Sequence, residues 1–448
     1  MPAASSPPPR RANDSGGARR RRALTAAGVT VGLDVGTSGV RAALVDDAGA
    51  LISLHTVRLA ATGLEADDPR AWWAGCEAVL ETLGRECDVS AVRALAVDGT
   101  SGTLLAVDRA GTPVAPARMY HAIAAEGAIR IVADAAPAES AANGPASPLA
   151  KALALQDAPG AARILHQADW IAGRLRGQYD HTDENNALKT GYDAVARCWP
   201  AWLDDTGLRR EMLPAVVAPG AKLGEIDPAV ARRFGLSSSA IIVAGTTDGC
   251  ASFLAAGACE IGDAVTALGS SMTLKLACDR PVVSIKHGVY SHRLGDMWLA
   301  GGASNSGGAA LARYFDARTL EALSARIDPA HPSSLDYYPL PRPGERFPHA
   351  DPGFAPRATP RPADDALFLQ ALLEGIAAIE AVGYQSLASL GAPALRAVRT
   401  VGGGARNATW TAIRARVLGV PIEPASSEEA AVGVACLALR ALGLPRPR

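Results

Sequence analysis

Residues 29–40 read VTVGLDVGTSGV, and no other stretch constrains the fold of this chain so strongly. Apolar and β-branched residues run into Asp34, a glycine-rich turn follows, and a second apolar run leaves it. This pattern predicts a strand, a tight turn and a second strand. The glycines let backbone amides approach an anion closely, and Thr37 and Ser38 add hydroxyl donors. The turn is therefore a candidate phosphate cradle.

Asp34 ends the first predicted strand, beside this turn. A carboxylate next to a bound phosphate would repel it unless a divalent cation lay between the two groups. Mg²⁺ is commonly held by one or two carboxylates together with phosphate oxygens, so Asp34 is a candidate Mg²⁺ organiser, directly or through water. The alternative is an ordinary β-hairpin with an aspartate in its turn. A similar pattern near residue 268 favours the first interpretation.

The composition excludes several classes of protein. A length of 448 residues allows two or three domains. The net charge of −1 provides no overall field for binding nucleic acid. The seven cysteines are widely spaced and form no CxxC motif, which is typical of reduced intracellular thiols and not of a zinc site. No uninterrupted apolar stretch of roughly 20 residues is present, so we expect no membrane span and a soluble intracellular protein.

Residues 1–28 differ from the rest of the chain. They contain six arginines, a single acidic residue, Asp14, and no periodic pattern. We predict that this basic extension is disordered. An arginine-rich, acid-poor composition suits an organelle transit peptide, while a basic tail or a misassigned start codon are the alternatives.

Two further turns follow predicted strands. Residues 98–103 read DGTSGT, where small side chains leave room for a ligand and Ser101 offers a hydroxyl to a polyol; a plain turn is the alternative. Asp248 precedes an apolar helix, whose dipole and amides would keep its carboxylate ionised. Its alternative role is that of a helix N-cap. The polar segment 183–192 is either a solvated loop or a place where two amides and Lys189 reach a polyhydroxyl ligand.

Residues 263–276 read DAVTALGSSMTLKL and repeat the strand–turn–strand pattern around Gly269, Ser270 and Ser271. The repetition predicts two similar halves, each of which supplies one hairpin that faces phosphate.

A glycine triplet at residues 402–404 follows another predicted strand and precedes a helix. Gly403 and Gly404 would let a flat ring or a phosphate lie against the backbone. Asn407 and Trp410 are three residues apart and share a helix face, where an amide and an indole could hold an adenine. A core position for Trp410 is equally open.

Taken in order, these segments resemble the motifs of the FGGY carbohydrate kinases, members of the actin, hexokinase and Hsp70 superfamily. GLDVGTSG is similar to the first phosphate motif, TALGSSMTLKL to the second and VGGGARNATW to the adenosine motif, and AGTTDG carries the position of the catalytic aspartate. VDGTSGTLLAVD and DENNALKTGYD most resemble the compact D-ribulose kinases of plants and cyanobacteria. The sequence departs from the family at Ser270-Ser271, where many relatives have Gly-Thr, and at Gly249, where others have Ser or Asn.

The resemblance implies an α/β fold of two RNase H-like domains around a central cleft. Residues 29–255 plus 428–448 would form an N-terminal, sugar-side domain, and residues 256–427 a C-terminal, nucleotide-side domain. Plant members of the subgroup resemble chloroplast proteins, so the basic extension at residues 1–28 suggests the chloroplast stroma. The implied reaction is the phosphorylation by ATP of the terminal hydroxyl of a ketopentose, D-ribulose, to D-ribulose 5-phosphate.

The resemblance also implies a role for each candidate residue. Asp248 would be the general base, and Asp34 would organise Mg²⁺ and take part in catalysis. Both would bind the ketose, together with Ser101. ATP would be held by glycines and hydroxyls of the two hairpins and by the glycine-triplet segment: Gly36, Thr37, Ser38, Gly269, Ser270, Ser271, Gly403, Gly404, Asn407 and Trp410.

Three alternatives to this function stay open at the level of sequence. The substrate could be D-xylulose, L-ribulose or sedoheptulose, because such sugars differ by few contacts. The chain could be an ATPase of the same superfamily that acts on no sugar, as a switch or a filament former. It could also be an inactive binding protein, although retention of Asp34 and Asp248 argues against that.

Overall fold

The computed structural model describes residues 29–444. The predictions made for the basic extension at residues 1–28 lie outside the described residues. The described part contains two six-stranded mixed sheets, one in each half of the chain, and two small two-stranded sheets.

The first half is an α/β unit built on a sheet of order β3-β2-β1-β4-β10-β9. Strands β1, β4 and β10 are parallel, whereas β2, β3 and β9 are antiparallel to their neighbours. The strands of this half are β1 (Val29–Val35), β2 (Gly39–Val45), β3 (Leu51–Arg58), β4 (Val92–Gly99), β5 (Leu104–Val107), β6 (Arg163–His166), β7 (His181–Asp183), β8 (Ala215–Val217), β9 (Lys222–Glu225) and β10 (Ile241–Thr247). The helices are α1 (Pro69–Glu86), α2 (Glu126–Ala135), α3 (Pro148–Leu155), α4 (Gln167–Arg176), α5 (Glu184–Ala187), α6 (Pro228–Phe234) and α7 (Asp248–Ala255).

The second half repeats this organisation in a sheet of order β13-β14-β12-β11-β15-β16. Its strands are β11 (Asp263–Leu268), β12 (Met272–Cys278), β13 (Tyr290–Leu294), β14 (Met297–Ser304), β15 (Ala397–Val401) and β16 (Ile422–Glu423). Its helices are α8 (Gly308–Leu311), α9 (Ala317–Ser324), α10 (Asp365–Ser389) and α11 (Ala408–Leu418), and the last helix of the described chain is α12 (Ala430–Ala441). In both sheets an antiparallel hairpin, β1–β2 or β11–β12, lies beside a parallel strand, β4 or β15. The two similar halves predicted from the sequence are therefore present.

Short 3₁₀ turns connect several of these elements. They lie at Leu59–Thr62, Val89–Ala91, Leu188–Thr190, Ala201–Thr206, Arg210–Met212, Ile285–His287 and Gly403–Arg406.

Helix α12 returns from the second half to the first and packs between the first sheet and α7. Two glycines allow the close approach: a Cβ at Gly32 of β1 would lie 1.9 Å from the carbonyl oxygen of Ala431, and a Cβ at Gly433 would lie 1.9 Å from that of Ala251. The Oγ1 of Thr30 also donates to the carbonyl of Ala435 at 2.9 Å. This packing fixes α7, whose first residue is Asp248, against the first sheet.

Helix α10 is the central helix of the second half. It is the one helix of residues 29–444 that is long and apolar enough to cross a membrane. However, 72% of its most apolar 18-residue stretch is buried inside the protein. Its buried Glu380 binds the guanidinium of Arg414 on α11 through two hydrogen bonds of 2.6 and 2.7 Å. The helix is therefore a core helix that holds α11 in place.

Candidate active site

Three aspartates meet at the carboxyl-terminal edge of the parallel strands in the first sheet. Asp34 on β1 lies directly opposite Asp98 on β4, and Asp98 in turn lies opposite Thr246 on β10. Asp248 follows two residues later as the first residue of α7. Ligands of open α/β sheets bind at this edge, where the loops after parallel strands converge. The fold therefore gathers carboxylates at the position that the sequence assigned to a ligand.

Asp98 is fully buried, and its carboxylate accepts no hydrogen bond from an N–H or hydroxyl donor of the described chain; the side chain of Asp34 faces it. Burial raises the pKa of Asp98 well above its usual range, and the charges of Asp34 and Asp248 raise it further. Asp34 is 6% exposed, and its Oδ2 accepts a 2.9 Å hydrogen bond from Arg41. A buried carboxylate without partners beside a second carboxylate is a donor set that suits a hard divalent cation. Asp98 was not among the predicted site residues, although it also ends a predicted strand.

Asp248 stands at the beginning of α7 and not at the N-cap, which is Thr247. Its Oδ1 accepts a 2.7 Å hydrogen bond from the backbone amide of Gly249. Desolvation raises the pKa of Asp248, and the nearby charges of Lys189 and Lys275 act in the opposite direction. A carboxylate with a raised pKa is a stronger base than an ordinary aspartate.

A cavity of about 360 Å³ lies between the two halves of the chain and contains Asp248 in its wall. The hydroxyl of Ser101 is shielded from solvent there and has no hydrogen-bond partner among the described residues. Both halves of the chain line the cavity. The first half contributes Ser101, Tyr120, Lys189 and Asp248, and the second half contributes Thr273, Lys275, Tyr290, His292 and Arg346.

The two predicted phosphate hairpins have the expected form. In the first, between β1 and β2, the Gly36 amide donates to the Gly39 carbonyl at 3.0 Å, and Thr37 and Ser38 are exposed. In the second, between β11 and β12, the Gly269 amide donates to the Ser271 carbonyl at 3.0 Å. Both turns therefore present free hydroxyls, including that of the exposed Ser270.

The glycine triplet lies beside the second hairpin, because β15 runs parallel to β11 with Val401 opposite Ala267. A Cβ at Gly402 would lie 3.0 Å from the carbonyl oxygen of Leu268. A Cβ at Gly403 would meet open space, whereas one at Gly404 would meet the side chain of Leu268. The turn thus combines two glycines that pack closely, Gly402 and Gly404, with one, Gly403, that faces open space.

Asn407 and Trp410 do not form an exposed amide–indole pair. The Asn407 Oδ1 caps α11 by accepting from the Trp410 amide at 2.9 Å, and its Nδ2 donates to Ser324. Trp410 is 3% exposed, packs in the core of the second half and donates from its indole to the Leu373 carbonyl. The core position left open by the sequence is the one observed, and a role for the two side chains in holding adenosine stays a prediction.

The segment 183–192 is neither a solvated loop nor a pair of amides that point at a ligand. Asn185 and Asn186 are buried. The Asn185 Nδ2 donates to Thr246 on β10 and to the Arg293 carbonyl on β13, and its Oδ1 accepts from the Arg293 amide. Asn185 therefore connects the two halves, and Lys189 is the member of this segment that lines the cavity.

The comparison with protein families defines the class to which this site belongs. Residues 29–138 match the N-terminal domain of the FGGY family of carbohydrate kinases, and residues 261–442 match its C-terminal domain. The chain therefore belongs to the FGGY family of carbohydrate kinases and is an ATP-dependent sugar phosphotransferase.

Individual relatives agree with this assignment. The chain is 24% identical to a xylulose kinase of Escherichia coli (strain K12) over 88% of its own length and 85% of the relative. It is 25% identical to an autoinducer-2 kinase of Yersinia pestis (strain Angola), with 92% of this chain and 86% of the relative covered. The crystal structure of a "xyloylose kinase" from Brucella ovis superposes with a TM-score of 0.82 at 26% identity, covering 94% of this chain and 91% of that one. The two-domain fold of the actin and hexokinase type is thus confirmed.

Proposed function

We propose that this kinase transfers the γ-phosphoryl group of ATP to the terminal hydroxyl of a ketopentose, and that D-ribulose, which gives D-ribulose 5-phosphate, is its substrate. The observation that carries the proposal is the position of Asp248. It is a partly exposed carboxylate in the wall of a cavity that also contains the partnerless hydroxyl of Ser101. The choice of D-ribulose rests on the resemblance of residues 97–108 and 183–193 to the D-ribulose kinases.

Asp248 is proposed as the general base. Its carboxylate accepts the proton of the sugar hydroxyl as that oxygen attacks the γ-phosphoryl group. A positioned base contributes about 10²–10⁴-fold to the rate, and its efficiency is greatest when its pKa lies near the working pH. The raised pKa of Asp248 moves it in that direction. The remaining acceleration comes from in-line positioning and charge neutralisation, since phosphoryl transfer needs little covalent assistance.

The nucleotide is proposed to lie along the two hairpins and the glycine triplet. Thr37 and Ser38 with the Gly36 amide, and Ser270 and Ser271 with the Gly269 amide, would hold the β- and γ-phosphates. Gly403 and Gly404, followed by Asn407 at the N-cap of α11 and Trp410 in its first turn, would hold the adenosine. The exposed turns and the adjacency of β11 and β15 support this path.

Mg²⁺ is proposed at Asp34, and the unpartnered carboxylate of Asp98 beside it supports this site. Among residues 29–444 no group of three or more His, Cys, Asp or Glu side chains could by itself hold a metal ion. One or two carboxylates suffice when phosphate oxygens complete the coordination. The bound ion would neutralise charge on the phosphates. Asp34 and Asp98 orient the site, and Arg41 fixes the rotamer of Asp34.

We propose the domain division expected from the sequence, with residues 29–255 plus 428–448 on the sugar side and residues 256–427 on the nucleotide side. The packing of α12 on the first sheet supports it. For the basic extension at residues 1–28 we propose import into the chloroplast stroma. A fusion of this segment to a fluorescent protein, incubated with isolated chloroplasts, should be imported and cleaved; exclusion from the organelle would contradict the proposal.

D-Xylulose is the second candidate substrate, because relatives in Escherichia coli and Brucella ovis bear the name of xylulose kinases. L-Ribulose and sedoheptulose are further alternatives. A non-sugar ATPase switch is disfavoured by membership of a carbohydrate kinase family along both halves of the chain.

The test is a substrate panel. The full chain, ATP and Mg²⁺ are incubated with D-ribulose, D-xylulose, L-ribulose, sedoheptulose or glycerol, and ADP release and sugar phosphate are measured together. We expect D-ribulose to give the highest kcat/KM and one phosphate per ADP. A clear preference for D-xylulose would replace the substrate and keep the mechanism. ATP hydrolysis that ignores every sugar would overturn the proposed function.

A further inference from the structure

A buried lysine–histidine pair forms the wall of the cavity that the second half contributes. The Nζ of Lys275 on β12 lies 2.9 Å from the Nδ1 of His292 on β13. Lys275 is 8% exposed and His292 is 3% exposed. Because an ammonium group has donors and no acceptor, Lys275 donates and Nδ1 accepts, which leaves the proton of the neutral imidazole on Nε2.

The Nε2 of His292 is shielded from solvent and has no partner in the protein. Both residues of the pair line the cavity that contains Asp248. Burial lowers the pKa of His292 well below its usual range, and the charges of Lys275 and Lys189 lower it further, so the ring is neutral at physiological pH. The pair therefore offers the cavity an imidazole N–H and an ammonium group.

Neighbouring residues extend the same donor character. The Nζ of Lys189 lies 5.2 Å from the centre of the Tyr290 ring, and Tyr290 in turn packs edge-on against His292 with ring centres 5.2 Å apart. Among the cavity residues that the structure describes, Asp248 is the one carboxylate. The cavity thus has its one carboxylate at Asp248, and β12 and β13 contribute the ammonium group of Lys275 and the imidazole N–H of His292.

Gly249 makes room for this lysine. A Cβ at position 249 would lie 3.1 Å from Cε of Lys275 and 3.9 Å from its Nζ, which is tighter than ordinary contact for the methylene. A larger residue at position 249 would therefore require the side chain of Lys275 to shift.

We propose that Lys275 and His292 bind a substrate oxygen other than the phosphorylated hydroxyl, and that they select an oxygen that only accepts hydrogen bonds, a ketone carbonyl or a carboxylate. The inference rests on the proposed function and deepens it. The oxygen of an alcohol can also accept from these donors, but its own hydrogen then needs an acceptor, and Asp248, the one carboxylate of the cavity lining, is assigned to the phosphorylated hydroxyl. A buried donor without an acceptor weakens binding. A site built around such hydrogen bonds rejects the wrong group strongly.

The experiment compares five-carbon substrates that differ in their acceptor group. D-Ribulose carries a carbonyl at C2, ribitol carries a hydroxyl at that carbon, and D-ribonate carries a carboxylate at C1 beside a hydroxyl at C2. We expect wild-type kcat/KM for D-ribulose or D-ribonate to exceed that for ribitol on the order of 100-fold. Whichever of D-ribulose and D-ribonate has the higher kcat/KM shows whether the site prefers a neutral carbonyl or a carboxylate anion.

Lys275→Met keeps the length of the side chain and removes the donor. We expect it to reduce the preference over ribitol by about tenfold or more, through KM for the sugar, with KM for ATP unchanged. His292→Gln should also reduce the preference for D-ribulose over ribitol. Gly249→Ala should reduce this preference as well, although Lys275 is still present, because the added methyl group displaces the lysine side chain. The matched control is Lys286→Met, which changes an exposed lysine of the same half. Thermal melting of every variant shows whether each one is folded.

Two results would overturn the inference while leaving the kinase in place. One is a wild type that phosphorylates ribitol as well as D-ribulose. The other is a Lys275→Met variant that loses activity equally on all sugars, or that raises KM for ATP, because the lysine would then serve the phosphates. If the wild-type enzyme phosphorylates no sugar, the proposed function itself is overturned, and this inference with it.

Discussion

Asp183 is a buried carboxylate whose protonation contributes to the stability of the folded chain. It accepts hydrogen bonds from the backbone amides of Asn185 and Asn186 and from the side chain of Asn186. Burial, and then the charge of Asp169, raise the pKa of Asp183 to about 7. Between about pH 4, where the unfolded carboxyl titrates, and pH 7, the folded state binds a proton that the unfolded state has released. The free energy of unfolding therefore falls as pH rises through this window.

Asp183→Asn removes this titration. The Oδ1 of Asn186, which has no partner, can accept from the new amide. We expect the stability of the variant relative to wild type to increase between pH 5 and pH 8, by at most about 1.4 kcal/mol per pH unit within the window. Urea denaturation at the two pH values measures it, with the exposed Asp296→Asn as control. A difference that does not change with pH would show that Asp183 does not titrate there.

At the level of elements, α12 is the part that joins the fold to the site. It packs against β1 through Gly32 and against α7 through Gly433, at distances that leave no room for a side chain. Helix α7 begins with Asp248, so the position of the proposed base depends on this contact.

Gly433→Ala should push α7 away from α12, because the new Cβ would lie 1.9 Å from the Ala251 carbonyl oxygen. Overpacking of this kind costs about 1–3 kcal/mol. We expect a lower melting temperature and a lower kcat on the sugar. Gly127→Ala is the control, because a Cβ there meets nothing within 4 Å. A Gly433→Ala enzyme with wild-type melting and kcat would mean that the α7–α12 contact is not the determinant of Asp248 geometry.

At the level of the whole molecule, Asn185 is a direct polar connection between the halves. It binds Thr246, two residues before Asp248, and the backbone of Arg293, next to His292. One side chain thus sets the position of both walls of the cavity relative to each other.

Asn185→Ala removes three hydrogen bonds of this connection. Because each carries roughly 1 kcal/mol, we expect a drop in melting temperature, and we also expect a rise in KM for the sugar as the walls separate. Asn186→Ala is the matched control, since Asn186 bonds only within its own segment, to Asp183. If both variants gave the same sugar KM, Asn185 would be a local stabiliser and not a link between cavity walls.

Much of this molecule follows from local pattern. The hairpins around Gly36 and Gly269 and the carboxylate at the end of β1 could be predicted, because turn chemistry and strand alternation are short-range properties. The partners of Asn185, the burial of Trp410 and the pairing of Lys275 with His292 could not. Each depends on which elements pack together over long separations in sequence, and a side chain with the same local pattern fits a ligand or a core equally well.

The role of Asp248 as the general base is tested most sharply by Asp248→Asn, which keeps the shape of the side chain and removes the base. We expect binding of ATP, measured by calorimetry on the full chain, to stay within about twofold of wild type. We expect kcat for phosphorylation of D-ribulose to fall about 10²-fold or more. Retention of more than about a tenth of wild-type turnover would contradict the proposed role of Asp248 as the general base, because the proton would then leave the sugar hydroxyl without it.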